Sequence, residues 1–448
     1  MSELQNTEVG LIPTDWSINS LDNFIQENRG ICYGVVQPGF HNEDGIPIIR
    51  VNNLRNGQII PDDVLKVSPE IEAKYSRSRL QGNEILISLV GNVGEIVIVD
   101  DKYKGWNVAR AVGVVPINNA IDKEWLKYWL QSSQVKHHIK THCNTTVQIT
   151  LNLKDVAQLP VLEPSIEEQK KISSILSVLD RKIENLRKQN ETLEKIAQTL
   201  FKHWFIDFEF PFDFAQGKPS TDGKPYKSSG GAMAPSELGE IPAGWCVVRM
   251  EEIANRIAMG PFGSRITTDN FVDSGVPVVR GGNLVNGFNE GSFVYLTEEK
   301  ADDLKSSNVF PEDIVFTHRG TLGQVGFIPT HSQYPRYVVS QSQMLLSVNK
   351  ALASPRLIYR FFRSKLGLNA ILANKNTTGV PSIGRPTTTL KSIQMALPEV
   401  TLMRQFDTLI QATDFKKEAN TKQIETLTKT RDTLLPKLMS GKLRVGGN

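Results

Sequence analysis

The feature that most constrains this chain is an internal repeat. Five short segments of the first half recur in the same order in the second half, displaced by about 230 residues. The matched pairs are Gly10–Trp16 with Gly239–Trp245, Gly45–Gly57 with Gly275–Gly287, Glu84–Gly94 with Asp313–Gly323, Asn144–Thr146 with Asn376–Thr378, and Leu159–Pro160 with Leu397–Pro398. Because chance explains five ordered matches poorly, the sequence predicts two copies of one globular unit, related as a pseudo-twofold repeat.

Each copy is followed by a long stretch with helical spacing. Between Ile172 and Trp204, apolar residues recur in alternating steps of three and four, which is the heptad spacing of a coiled coil. Asn190 interrupts this seam, and a buried Asn fixes the register of a helix pair. We predict that the second helix pairs antiparallel with the first, because the connecting chain must return to the start of the second copy. The predicted seam residues are Leu176, Leu179, Ile183, Leu186, Asn190, Leu193, Ile410, Ile424, Leu427 and Leu434.

The predicted fold class is α+β, with two globular domains separated by a long antiparallel two-helix coiled coil. The predicted parts are a first globular domain (1–163), a central long helix (164–208), a linker (209–235), a second globular domain (236–400) and a C-terminal long helix with a tail (401–448). The linker is assigned from the Gly, Lys, Pro and Ser content of Gly217–Gly231. Within the first domain, Ser68-Pro69 predicts a helix start, and Trp125–Lys140 predicts one amphipathic helix.

Composition favours a cytoplasmic protein with no membrane partner. The chain has a net charge of +3 and three widely spaced cysteines, which fits a reducing compartment and not a disulfide framework. No run of about 18 apolar residues predicts a membrane span. The near-neutral charge neither requires nor excludes nucleic acid, since basic faces can occur within a balanced total.

The sequence predicts neither a catalytic site nor a metal site. Asp62, Glu72 and Lys74 formally match a metal-dependent nuclease signature, but Glu72 and Lys74 fall on a predicted helix instead of a strand. A histidine cluster that ends at Cys143 has no counterpart in the second copy, so a helix end is the better interpretation. The members of that cluster are His137, His138, His142 and Cys143. The sequence has no phosphate-binding loop, base-methylation motif or dinucleotide fingerprint.

Polar and basic residues of both copies are candidates for DNA contacts, because Arg can bind guanine and Asn or Gln can bind adenine through two hydrogen bonds. The candidates are Arg50, Asn53, Asn92, Arg110, Ser264, Arg265, Arg280, Asn283, His318, Arg319, Gln341 and Gln343. If the copies bind different bases, shared residues are scaffold or phosphate contacts, and differing residues determine specificity. The shared pairs are Arg50/Arg280 and Asn53/Asn283, and the differing pairs are Leu89/His318, Val90/Arg319, Arg110/Gln341 and Val112/Gln343.

Over essentially its whole length, the chain resembles the specificity subunit of Type I restriction-modification systems. The resemblance rests on the duplicated order of domain and helix and on several motifs. These are Leu238–Trp245 with its variant Val9–Trp16, Gly260-Pro-Phe-Gly-Ser264, the aromatic run Phe201–Phe208, Gly217-Lys-Pro, Gly223-Lys-Pro-Tyr226 and the tail Leu438–Val445. In one departure, the first copy has Gly30-Ile-Cys-Tyr-Gly34 instead of the Gly-Pro-Phe-Gly-Ser loop.

The resemblance implies that each globular unit is a target-recognition domain for one half of a bipartite sequence in double-stranded DNA. It implies that the helix pair sets the spacer and docks two methylation subunits, with restriction subunits as further partners. S-adenosylmethionine, ATP and Mg²⁺ are then expected on those partners, and no cofactor on this chain. Two alternatives stay open from the sequence: a metal-dependent nuclease that uses Asp62 to Lys74, and a duplicated protein-interaction scaffold.

Overall fold

The computed structural model describes residues 3–142 and 150–445, without the side chains of His142 and Ser264. Cys143 and the repeat segment Asn144–Thr146 lie outside the described residues. The chain divides into two compact units. Unit 1 comprises Met1–Asn185 and Gln423–Asn448, and unit 2 comprises Leu186–Lys422.

Unit 1 contains short strands and short helices in alternation. Its strands are β1 (Leu4–Thr7), β2 (Gly10–Pro13), β3 (Ser17–Ser20), β4 (Cys32–Tyr33), β5 (Ile46–Ile49), β6 (Leu54–Arg55), β7 (Gln58–Ile59), β8 (Leu65–Val67), β9 (Ile85–Ser88), β10 (Ile96–Ile98), β11 (Asn107–Val108), β12 (Val112–Val115) and β13 (Pro160–Glu163). Its helices are α1 (Pro69–Ala73), α2 (Lys123–Leu130), α3 (Ser133–His142), α4 (Leu153–Ala157) and the first half of α5 (Ile166–Phe205).

Two sheets organise unit 1. The first is antiparallel in the order β10-β9-β12-β4, and the second has the order β11-β5-β8 with β11 parallel to β5. All four residues of β9 are buried, because the strand is covered on both faces. On one side lies α2, whose Trp125 and Trp129 indole groups donate to the carbonyls of Leu162 (3.0 Å) and Pro160 (2.6 Å).

Two local predictions in unit 1 have different outcomes. The helix start at Ser68 is confirmed, since the Ser68 hydroxyl accepts from the Ile71 amide and Pro69 occupies the first helical position. The single helix over Trp125–Lys140 is wrong, because the structure has α2 and α3 separated by Gln131 and Ser132. The Ser132 hydroxyl accepts from the Val135 amide (3.4 Å) and so caps a new helix.

Unit 2 has its own set of strands and helices. Its strands are β14 (Pro211–Asp213), β15 (Lys218–Pro219), β16 (Lys224–Pro225), β17 (Met233–Ser236), β18 (Gly239–Pro242), β19 (Cys246–Arg249), β20 (Ala254–Met259), β21 (Val276–Val279), β22 (Val294–Leu296), β23 (Asn308–Val309), β24 (Ile314–Thr317), β25 (Val325–Phe327), β26 (Tyr337–Val339), β27 (Gln343–Val348), β28 (Lys375–Asn376), β29 (Ser382–Ile383) and β30 (Gln394–Leu397). Its helices are α6 (Glu298–Asp303), α7 (Pro355–Arg363), α8 (Lys365–Leu372), α9 (Pro386–Ser392), the second half of α5 and the first half of α10 (Val400–Met439).

The antiparallel main sheet of unit 2 has the same strand order as that of unit 1, and the second main sheet has one strand more than its counterpart. One is antiparallel in the order β25-β24-β27-β20, and the other has the order β22-β21-β26-β23 with β26 parallel to β21. The core of unit 2 also takes in the end of α5, where Phe205 packs edge-on against Phe406 of α10 at 4.8 Å. The aromatic run Phe201–Pro211 therefore packs into the core of unit 2.

The segment predicted to be a linker is folded. Strands β14, β15 and β16 form a three-stranded sheet within 211–225. The ring of Phe210 stacks on Tyr226 at 4.6 Å and on Trp245 at 5.5 Å. The linker prediction for Gly217–Gly231 is wrong because the burial of the aromatic rings outweighs the flexibility that the glycines confer.

The two long helices contact each other within each unit. In unit 1, Arg431 of α10 donates to Asp180 of α5 at 2.8 Å. In unit 2, Asn420 donates to Asn190 at 2.9 Å, and Lys417 pairs with Glu194. Rising numbers on α5 meet falling numbers on α10, so the segments of unit 2 run antiparallel.

No predicted seam residue is exposed. Leu176, Ile183, Leu186 and Ile410 are buried, and Leu179, Asn190, Leu193, Ile424, Leu427 and Leu434 are half-buried.

Within the described parts of the chain, no helix combines the length and the apolar character needed to cross a membrane.

Candidate nucleic-acid interface

Three loops of unit 2 meet at one end of its antiparallel sheet. They follow β20 and β24 and precede β27, since Met259 pairs with Met344 and Thr317 pairs with Gln343. Backbone hydrogen bonds join them: the amide of Gly260 donates to Gln343 (2.9 Å). We call the loop residues Gly260–Arg265, His318–Gly320 and Ser340–Ser342 the sheet end of unit 2.

Four of the eight unit 2 candidates are exposed at or beside this sheet end. Arg319, Gln341 and Arg265 are exposed, and Arg265 donates to the Asp303 carbonyl at 3.2 Å. Arg280 is also exposed and follows β21, whose last residue accepts from the Ser340 amide at 2.9 Å. The side chain of Ser264 lies outside the described residues. Three guanidinium groups and one amide thus border the same loops.

Two unit 2 candidates are buried beneath this surface. The His318 ring nitrogen Nε2 lies 3.1 Å from the Gln341 carbonyl, and burial lowers the pKa of His318, which keeps the ring neutral at pH 7. The Gln343 amide donates to Thr317 Oγ1 at 3.4 Å and accepts from the Ser340 hydroxyl. Both side chains hold the loop that presents Gln341, so we remove them from the set of direct contacts.

The shared asparagines have the same internal role in both units. Asn53 is buried, accepts from the Arg50 amide (3.0 Å) and donates to the carbonyls of Ile60 and Asp62. Asn283 is buried, accepts from the Arg280 amide (3.0 Å) and donates to the Gly291 carbonyl (2.8 Å). Because each amide is used inside the protein, these residues support a turn and do not offer an edge to DNA.

Replacing Asn53 with alanine should therefore lower the free energy of unfolding of unit 1 by about 1–3 kcal/mol, since buried backbone groups lose their partners. The neighbouring Asn52 is exposed, which makes Asn52→Ala a matched control with an expected effect within about 0.5 kcal/mol. Urea unfolding of both variants measures the difference. Equal destabilisation would mean that the Asn53 hydrogen bonds do not stabilise the turn.

Unit 1 has a sheet end of the same construction but different chemistry. Tyr33 pairs with Gly113 and Val112 with Ser88, so the loops after β4 and β9 and before β12 meet there. Arg110 and Asn92 are exposed on these loops. Arg50 is half-buried and pairs with Asp63 (Oδ2 at 3.1 Å), so its charge is partly neutralised.

Strand register corrects one sequence comparison. Gly34 directly follows Tyr33, which pairs with Gly113, and Gly260 directly follows Met259, which pairs with Met344. Gly113 and Met344 are equivalent, because each is the second residue of its strand, β12 in unit 1 and β27 in unit 2. Gly34 therefore occupies the place of Gly260, and the comparison of Gly30–Gly34 with Gly260–Ser264 is displaced by four residues. At both glycines, a Cβ atom would overlap a nearby backbone carbonyl, that of Val108 in unit 1 and that of Ser340 in unit 2.

The sequence-based set is polar and omits one prominent side chain. Phe262, next to Pro261 and Gly263, is 67% exposed at the sheet end of unit 2. An aromatic residue between proline and glycine, two positions after a glycine, was the available signal in the sequence.

The nuclease-like residues have other roles. Glu72 is buried on α1, where Arg79 donates to its carboxylate (Nε at 2.8 Å) and holds the pKa of Glu72 below its usual value. Asn107 donates to the same carboxylate at 2.9 Å. Among the described residues, no group of three or more His, Cys, Asp or Glu side chains could hold a metal ion. In the predicted histidine cluster, the side chain of His142 and all of Cys143 fall outside that description.

Comparisons with known proteins place this geometry in a family context. A family model described as Type I restriction modification DNA specificity domain matches residues 34–195. The Type I restriction enzyme EcoBI specificity subunit of Escherichia coli is 38% identical over 43% of this chain and 39% of its own length. The MjaIX specificity subunit of Methanocaldococcus jannaschii is 25% identical over 99% of this chain and 97% of its own length. The crystal structure of a Type I restriction-modification S subunit from M. genitalium covers 100% of both chains with a TM-score of 0.55 and 15% identity, which supports the fold.

Proposed function

We propose that the chain is a specificity subunit of a Type I restriction-modification enzyme and that it selects the DNA sequence on which such an enzyme acts. Each unit binds one half of a bipartite target in double-stranded DNA. The observation that carries this proposal is the exposure of Arg319 and Gln341 at the sheet end of unit 2 and of Arg280 beside it. These side chains match the donors that bind phosphates and base edges.

The two units have different chemistry at matching places, which suits a target with two different halves. Arg319 and Gln341 in unit 2 stand where unit 1 has Val90 and Arg110, by strand register. We infer that the units are copies of one domain, since their antiparallel main sheets share strand order and each second sheet contains one parallel pair. Residues that differ between the copies are then the ones that determine which bases are bound.

We further propose that α5 and α10 form an antiparallel coiled coil that sets the spacer of the target and docks two methylation subunits. The heptad spacing of α5 and the Asn190–Asn420 hydrogen bond of 2.9 Å support a helix pair with one register. A rigid tether raises the effective concentration of the second binding unit once the first is bound.

In this proposal, other chains carry out the catalysis. S-adenosylmethionine is bound by the methylation subunits, and ATP and Mg²⁺ are used with the restriction subunits, in the cytoplasm where the DNA is. This chain contributes recognition and no bond-breaking residue. The test is to map methylated adenines in the DNA of cells that express the chain with its methylation subunits. Loss of a sequence-specific pattern only when this chain is omitted supports the proposal, and an unchanged pattern contradicts it.

Exchanging the differing residues should change one half of the target. We expect the double variant Arg319→Val and Gln341→Arg, which installs the unit 1 residues in unit 2, to alter or abolish methylation at one half-site and leave the other half unchanged. Each lost two-point contact is worth about 1–3 kcal/mol of discrimination. Arg336→Gln is the control, because Arg336 precedes β26 at the opposite end from Ser340 and pairs with Asp302 at 2.6 Å. The same methylation map for the double variant and the control would contradict the assignment.

A further inference from the structure

We propose that the ring of Phe262 makes an apolar contact with DNA bases in the half of the target that unit 2 binds. This inference rests on the proposed function and adds a contact type that the polar candidates do not supply. Phe262 exposes 67% of its surface at the sheet end of unit 2. Full burial of such a side chain stabilises by about 1.5–3 kcal/mol, so burial of the exposed ring against a ligand would contribute to binding.

The loop that carries Phe262 is fixed on both sides of the ring. Gly260 donates its amide to Gln343 (2.9 Å), and its α-carbon lies against the Ser340 carbonyl so closely that no side chain fits. Pro261 is buried and has a fixed φ, and Gly263 adopts a positive φ of 61° at the start of a 3-10 helix, Gly263–Arg265. A backbone held in this way loses little conformational freedom on binding, which favours affinity.

The surroundings of the ring favour nucleic acid as its partner. Arg265, Arg280 and Arg319 are exposed and lie on or beside the loops of the sheet end that carries the ring. Duplex DNA presents phosphates to such groups and apolar base surfaces between them.

Unit 1 places a smaller apolar side chain at the same point. Two residues after Gly34 is Val36, which is 43% exposed. Both units therefore present an apolar group at their sheet ends, a ring in unit 2 and a branched aliphatic group in unit 1. Two half-sites with different bases would account for the difference in size.

The Phe262 ring can contact DNA bases in two different arrangements. The ring can contact a thymine methyl group in the major groove, or it can insert between neighbouring base pairs and unstack them. Both arrangements remove ring surface from water.

The test uses the complex of this chain with its methylation subunits and a duplex that carries its methylated target sequence. Phe262→Ala should weaken specific binding about tenfold, as expected for the loss of one base–aromatic contact. The salt dependence of binding should not change, because no phosphate contact is removed. Phe262→Leu should recover part of the affinity.

Phe310→Ala is the matched control, since Phe310 is 45% exposed in unit 2 but precedes β24 at the opposite end of the sheet. It should bind DNA like the parent complex. Thermal unfolding of both variants detects any effect on folding.

Two probes distinguish the arrangements. Replacing thymine by uracil in the unit 2 half-site should weaken the parent but not Phe262→Ala if the ring contacts a methyl group. If the ring inserts, 2-aminopurine in that half-site should gain fluorescence with the parent and not with Phe262→Ala. A parent complex that responds to neither probe overturns the inference.

Failure of this inference can be told apart from failure of the proposed function. If the parent complex binds its target and Phe262→Ala binds equally well, the ring has no role in DNA binding. If Phe262→Ala prevents assembly with the methylation subunits, the ring is a protein contact and the inference is also overturned. If the parent complex binds no specific duplex, the proposed function itself fails.

Discussion

Replacing Arg360 with methionine is expected to lower the free energy of unfolding of unit 2 by about 3–5 kcal/mol, the range for breaking a buried ion pair. Arg360 of α7 is 1% exposed and joins Glu194 of α5 (2.7 Å) to Asp414 of α10. Burial disfavours ionisation of Glu194, but the charges of Arg360 and Lys417 outweigh it and hold its pKa well below the usual range. Glu194 is therefore charged in the parent protein, and removing Arg360 takes a counterion from both Glu194 and Asp414.

Remaining cations limit the loss. Lys417 still pairs with Glu194, and Arg356 donates to Asp414 at 2.6 Å, so we expect the lower end of the range. Denaturant unfolding measures the effect. Arg336→Met is the control, since the carboxylates that pair with Arg336 are largely exposed and such pairs contribute at most about 1 kcal/mol. An equal loss of stability in the two variants would show that burial does not increase the contribution of the Arg360 ion pairs to stability.

Replacing Gly260 with alanine is expected to have the second large effect. It should lower the free energy of unfolding of unit 2 by about 3 kcal/mol or more. An added methyl group in a packed site costs about 1–3 kcal/mol and more when the neighbour cannot move. Here the neighbour is the Ser340 carbonyl, which is held because the Ser340 amide donates to Val279 at 2.9 Å. The methyl group can be accommodated only if the paired strands separate. Movement of Ser340 also displaces Gln341, so binding to the unit 2 half-site should fail at temperatures where the variant is still folded.

Gly282→Ala is the control for that prediction, because no atom lies within 4 Å of a Cβ at this position. It should leave stability unchanged within about 1 kcal/mol. Urea unfolding and a half-site binding assay, run on both variants, test the two parts. A Gly260→Ala protein with parental stability and binding would contradict the role of this close approach.

The sequence located features that depend on neighbours along the chain. Helices were predicted over 164–208 and 401–448, and the structure has α5 at Ile166–Phe205 and α10 at Val400–Met439. Heptad spacing is visible because residues three and four apart share a helix face. The cap at Ser68 was equally local. The family resemblance, carried by the order of short motifs, also came from the sequence.

Only the tertiary structure decided which side chains are available to a ligand. Asn52 and Asn53 are adjacent and identical in type, yet one is exposed and the other is fully hydrogen-bonded inside the protein. His318 and Gln343 were candidates by residue type and turned out to be internal supports. The equivalence of Gly34 with Gly260 required strand pairs between residues about 80 positions apart. Burial and register depend on such distant pairings, and a pattern of near neighbours does not contain them.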